Sequence, residues 1–186
     1  MKKLIVIALS VVLAGIIASC AGVQPDSTQV ALKPRDKIED MTLVISSNYP
    51  SEPLWSIGSL CLLEGLTEPG SRTMDCKIAE LPWIYFDIGW YADATLLASN
   101  WDAMEWEMYI DGHEIDLESF GWFERESAVG GENTKERIWL VTLTNPSPGE
   151  HSMRFIWTST TAIDDGFNIY RPGTYEHVLN FTVIDQ

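Results

Sequence analysis

The side chains able to do chemistry here are three histidines, twenty-seven carboxylates and twenty aromatics, spread over 186 residues. Glu105 and Glu107 stand two apart in an alternating run, which puts their side chains on one strand face about 7 Å apart. That spacing falls in the range used by inverting glycosidases, but those enzymes set the two groups on opposite sides of a substrate. A solvated acidic strand face is the better reading. His113 follows a turn, and His151 and His177 open strands. Each reads as a strand-edge polar residue rather than a general base. No G-x-S-x-G is present, and no catalytic residue is assigned.

Oxygen-rich loops raise the question of a metal. Asp164, Asp165 and Asn168 crowd one loop around Gly166, and Asp111, Glu114 and Asp116 crowd another. Neither matches the spacing of a calcium loop, so the first is kept only as a weak calcium candidate. No cofactor is expected. The aromatics are more informative. Trp106, Trp139 and Trp157 fall inside alternating runs and are expected in the core, whereas Trp55 and Trp83 fit no clear pattern. Trp90, Phe120, Trp122 and Phe123 break the alternation beside Gly89 and Gly121. They are expected to form or border a ligand-contacting surface at one end of the fold, where glycine lets a ligand approach the backbone. The competing expectation is that they plug the end of the core.

Positioning such a surface requires strands. The apolar period is two along Ile84–Ile88, Met104–Ile110, Met153–Trp157 and Leu179–Val183. Asp111-Gly112 suits a two-residue hairpin turn, and Asn145-Pro146-Ser147-Pro148-Gly149 suits a longer one. Early strands are expected over Thr42–Ser46 and Leu54–Leu63, and a short helix over Ala94–Trp101. Ala128–Glu136 reads as a loop, and Thr160–Thr174 as a long excursion before the last strand. Seven to nine short strands without a βαβ rhythm imply an all-β, antiparallel sandwich of Greek-key type, with a closed barrel as the alternative. The run Pro148-Gly149-Glu150-His151-Ser152-Met153-Arg154-Phe155 resembles the strand entry of bacterial immunoglobulin-like modules.

Lys2 and Lys3 precede an apolar run from Leu4 to Ile17, and Ile17-Ala18-Ser19-Cys20 closes it. This has the anatomy of a secretory signal peptide and is too short for a spanning helix. The four closing residues resemble the lipobox of bacterial lipoproteins. The resemblance implies lipidation at Cys20, cleavage before it, and anchoring of the exported chain to the cell membrane or outer membrane. The organisation expected is residues 1–19 as leader, 20–40 as lipidated cysteine and flexible tether, and 41–186 as the sandwich. Export leaves Cys61 and Cys76 in a setting that favours a disulfide between them.

A net charge of −15 repels phosphate backbones and excludes a nucleic-acid partner. It also favours neutral or cationic ligands over acidic ones. The reading that follows is an envelope-anchored binding module for a glycan or protein. Its alternatives are an envelope-associated hydrolase and a structural or assembly lipoprotein.

Overall fold

The computed structural model describes residues 30–45, 56–61, 65–127 and 131–185. The leader, Cys20 and Trp55 lie outside the described residues. The elements in chain order are β1 (Lys37–Ile38), β2 (Met41–Ile45), α1 (Ile57–Cys61), β3 (Gly70–Ala79), β4 (Trp83–Asp93), α2 (Leu97–Asp102), β5 (Glu105–Ile110) and β6 (His113–Glu114). They continue with α3 (Leu117–Phe120), β7 (Trp122–Glu126), β8 (Thr134–Thr144), β9 (Gly149–Ser159), β10 (Ile163–Asp164), β11 (Ile169–Tyr170) and β12 (Gly173–Ile184).

Ten of the twelve described strands form two open five-stranded sheets packed face to face, neither closed into a barrel, and β10 and β11 pair as a separate hairpin. One sheet runs β1-β2-β8-β4, with β7 pairing the other half of the β8 edge that β2 occupies. The second runs β3-β12-β9-β5-β6. Pairing is antiparallel except where β3 lies parallel to β12. The alternation read from sequence becomes the core. Ile84, Phe86 and Ile88 of β4 face Met153, Trp157, Leu179 and Phe181 of the opposite sheet, and all seven are buried. Phe86–Phe181 and Trp90–Trp157 ring contacts, with centroids 6.3 and 5.1 Å apart, bridge the sheets. Burial of that many large apolar side chains is the dominant favourable contribution to such a fold.

Four details differ from the sequence reading. The segment expected as a strand near Cys61 is in part the short helix α1, because Ile57 and Cys61 stand four apart and bury the same face. Its Cys61 is bonded to Cys76 of β3, with Cα atoms 5.6 Å apart. Strand β3 lies in a stretch where the alternation gives no strand. As an edge strand it is largely exposed, so it needs only weak alternation, supplied by Arg72, Met74 and Cys76. The long excursion contains the β10–β11 hairpin. Finally, the ordered fold reaches back before Met41: Ile38 is buried in β1, and Leu32 bridges to Ile115.

Candidate functional site

The four aromatics singled out by sequence do not share one surface. Strand β4 runs without a break through Gly89, so Trp90 is 9% exposed and packs edge-on against Trp157 and Tyr170. The room that Gly89 leaves is filled by the chain itself. A Cβ there would lie 2.0 Å from the Arg137 carbonyl oxygen. Phe120, at the end of α3, is 5% exposed and plugs the sandwich. Asp116 caps α3 by accepting from the Ser119 amide at 3.3 Å, and Gly121 at φ 70° ends it. The chain then enters β7, where alternation puts Trp122 on the inner face and Phe123 on the outer. Of these four, Trp122 alone is exposed, at 44%.

Trp122 belongs to a larger constellation that sequence spacing did not reveal. Trp101 of α2 lies 4.9 Å from Trp106, 4.4 Å from Trp139 and 6.3 Å from Trp122, measured between ring centroids. Arg137 lies over two of these rings, 4.1 Å from the Trp122 centroid and 5.2 Å from that of Trp101. Its Nε and Nη2 both donate to Glu124 Oε1, at 2.9 and 2.6 Å. The cluster therefore already holds one guanidinium between indoles and a carboxylate.

On the far side of Trp106 and Trp139 lies an open cleft of about 420 Å³. Glu105 and Glu107 line it from β5, and Glu114, Asp116 and Glu118 line it from the opposite rim. The Lys33 ammonium, 3.5 Å from the Asp116 carboxylate, partly offsets these charges. The Trp106 and Trp139 indole nitrogens have no hydrogen-bond partner, and Trp139 is 1% exposed. Both indole nitrogens are buried, so the cleft itself offers aromatic surface and a large excess of carboxylate acceptors.

Two other recesses lie elsewhere on the sandwich. A cavity of about 240 Å³ between the sheets is walled by Phe86, Trp90, Trp157 and Tyr170. At its edge, desolvation raises the Asp87 pKa against the Ser56 hydroxyl, which donates to it at 2.6 Å. His177 is pushed down by burial and by the Arg72 charge, so its imidazole is neutral at pH 7. A wider basin of about 570 Å³ includes His151 and Asp111. There His151 Nδ1 lies 2.8 Å from Asp111 Oδ2, and Nε2 lies 2.8 Å from the Ser147 carbonyl oxygen. Both ring nitrogens meet acceptors, so the ring has no nitrogen left to take a substrate proton.

The calcium candidate resolves into turn chemistry. Asp165 is fully buried, and its Oδ1 accepts from the Phe167 and Asn168 amides at 2.7 and 2.6 Å. Asp164 Oδ1 accepts from the Gly166 amide at 2.9 Å. These bonds shape the β10–β11 turn. Among the described residues no three His, Cys, Asp or Glu side chains converge as a metal site.

No family model matches the chain, and no curated relative matches it. Among solved structures, PbICP-C in complex with falcipain-2 aligns with 66% of this chain and 96% of its own, at 14% identity and a TM-score of 0.32. Amebosin in solution aligns with 64% of this chain and 100% of its own, at 12% identity and a TM-score of 0.24. Likenesses this distant carry no argument about function. What the chain itself defines is an all-β sandwich, stapled by one disulfide, with an acidic cleft over a tryptophan cluster.

Proposed function

We propose that this chain is a lipid-anchored, extracytoplasmic binding module of the bacterial cell envelope, and that it receives its partner in the acidic cleft beside β5. The observation that carries this reading is the arrangement of five carboxylates around Trp106 and Trp139. Such a set can stack on an apolar face and accept hydrogen bonds or cationic charge, and it holds no activated nucleophile. The Cys61–Cys76 disulfide suits an exported protein, and the lipobox-like Ile17-Ala18-Ser19-Cys20 supplies the anchor. On this reading the chain between Cys20 and Val30 reaches at most about 35 Å, so the cleft works close to the membrane.

Two measurements test it. Growth with an alkynyl fatty acid labels the protein, and Cys20→Ala abolishes the label; labelling that survives the substitution removes the anchor. Titrating the purified chain with neutral oligosaccharides and with basic peptides changes its tryptophan emission saturably for one of these classes. The response weakens in a Glu105→Gln, Glu107→Gln double variant. A flat response to both classes removes the cleft as the binding surface.

A further inference from the structure

Among the described residues the cleft has a strand edge that no strand covers. The Ile115 amide donates to the Met108 carbonyl oxygen at 2.9 Å, on the side of β5 away from β9. Backbone groups two residues apart along a strand point the same way. The Trp106 N–H and C=O therefore face the same side, into the cleft. Beside Ile115 the chain continues β6, but at Asp116 it turns into α3. Register ends there, and no described strand lies beside Trp106 on that side.

The chain shows how such an edge is used. Leu32, in extended chain, bridges to Ile115: its amide donates to the Glu114 carbonyl at 2.8 Å, and its carbonyl accepts from the Asp116 amide at 2.9 Å. The next residue, Lys33, places its ammonium 3.5 Å from the Asp116 carboxylate. A segment of extended chain with an adjacent cation is thus already seated on the same rim.

We propose that the free edge at Trp106 takes a short extended segment of a basic polypeptide, bound as an added β-bridge. The proposal rests on the binding-module reading above and names its partner. Side chains directly opposite across a β-pair share a face. A residue opposite Trp106 points inward, toward Trp139, and its two neighbours point outward beside Glu105 and Glu107. The segment that fits alternates basic, small and basic. Threonine suits the middle position: it is small, it favours extended chain, and its methyl packs on the Trp106 ring that lines the cleft. Lysine or arginine on either side meets Glu105 and Glu107, and the further carboxylates of Glu114 and Glu118 exclude anionic segments.

The experiment uses the full chain in detergent and fluorescein-labelled peptides read by anisotropy at low salt. The first probe is Lys-Thr-Lys-Thr-Lys. The second has the same composition in the order Thr-Thr-Lys-Lys-Lys, and the third is the first with N-methylated threonine amides. The proposal expects the alternating peptide to bind best, with affinity falling about tenfold in Glu105→Gln, Glu107→Gln protein of unchanged melting temperature. Equal binding of all three peptides reduces the interaction to net charge and overturns strand addition, while the binding module stands. Binding of neutral cellohexaose with none of the peptides overturns the basic partner and again leaves the module standing. Silence from peptides and oligosaccharide alike overturns both.

Discussion

The guanidinium of Arg137 lies 4.1 Å from the centre of the Trp122 ring, and both residues project from the inner face of their sheet. That contact explains how an indole that is 44% exposed still belongs to the fold. Its outer surface meets water, while Arg137 and Trp101 occupy its other side. The cost of removing it is therefore intermediate. Trp122→Ala is expected to destabilise by about 1–2 kcal/mol, below the about 3–5 kcal/mol of a fully buried aromatic. Phe120→Ala, by contrast, should reach that full range. Chemical denaturation of the two variants checks the order, and equal losses would contradict it.

His151 makes stability depend on pH. Burial alone would lower its pKa, but the Asp111 carboxylate and the Ser147 carbonyl outweigh burial and raise it above the ordinary 6.5. The folded state therefore holds the proton more tightly than the unfolded chain. The contribution is fully present below about pH 6.5 and is lost as pH rises through the folded value. The melting temperature of the wild-type chain should fall across that window relative to His151→Gln. Parallel curves for the two proteins would refute the assignment.

The Cys61–Cys76 bridge closes a separation of 15 residues and ties α1 to β3. Reduction, or Cys61→Ser with Cys76→Ser, is expected to cost about 3 kcal/mol. Mass analysis without reductant should find neither thiol available for alkylation. Two modified cysteines in native protein would exclude the bridge.

Gly89 tests how closely β4 and β8 approach. Because a Cβ would meet the Arg137 carbonyl at 2.0 Å, Gly89→Ala must separate two paired strands, at about 3 kcal/mol or more. At Gly65 a Cβ meets nothing within 4 Å, and Gly65→Ala should stay within about 0.5 kcal/mol of wild type. Similar melting temperatures for both variants would show that β8 can move aside.

Much of the architecture is legible in local chemistry. Period-two alternation marks the core faces of β4, β5, β9 and β12 because a strand buried on one side must repeat at two. Asp111-Gly112 marks the β5–β6 turn, and Asp111 adopts φ 48° there. Trp106, Trp139 and Trp157 read as core, and two of the three are fully so, while Trp106 keeps one flank toward the cleft. Strand β3 escapes notice because an exposed edge strand needs little apolar patterning. Trp90 and Trp122 break their local patterns in sequence, yet each lies inside a strand, since flanking aromatics on the outer face hide the alternation.

The sequence by itself determined the sandwich class, the paired cysteines and the acidic character, because each follows from residue type and short-range spacing. It also carries the basic and apolar N-terminal run and the lipobox-like segment on which the leader and anchor are proposed. The cleft is different in kind. It joins Glu105 and Glu107 of β5 to Glu114, Asp116 and Glu118 across a turn, and to Trp139 on the other sheet. The Asp111-Gly112 turn folds the two acidic runs toward each other, but no local rule adds Trp139. Only the packing of two sheets, and the turn at Asp116 that leaves Trp106 with no described strand on its side away from β9, puts acceptors, indoles and an open edge in one place.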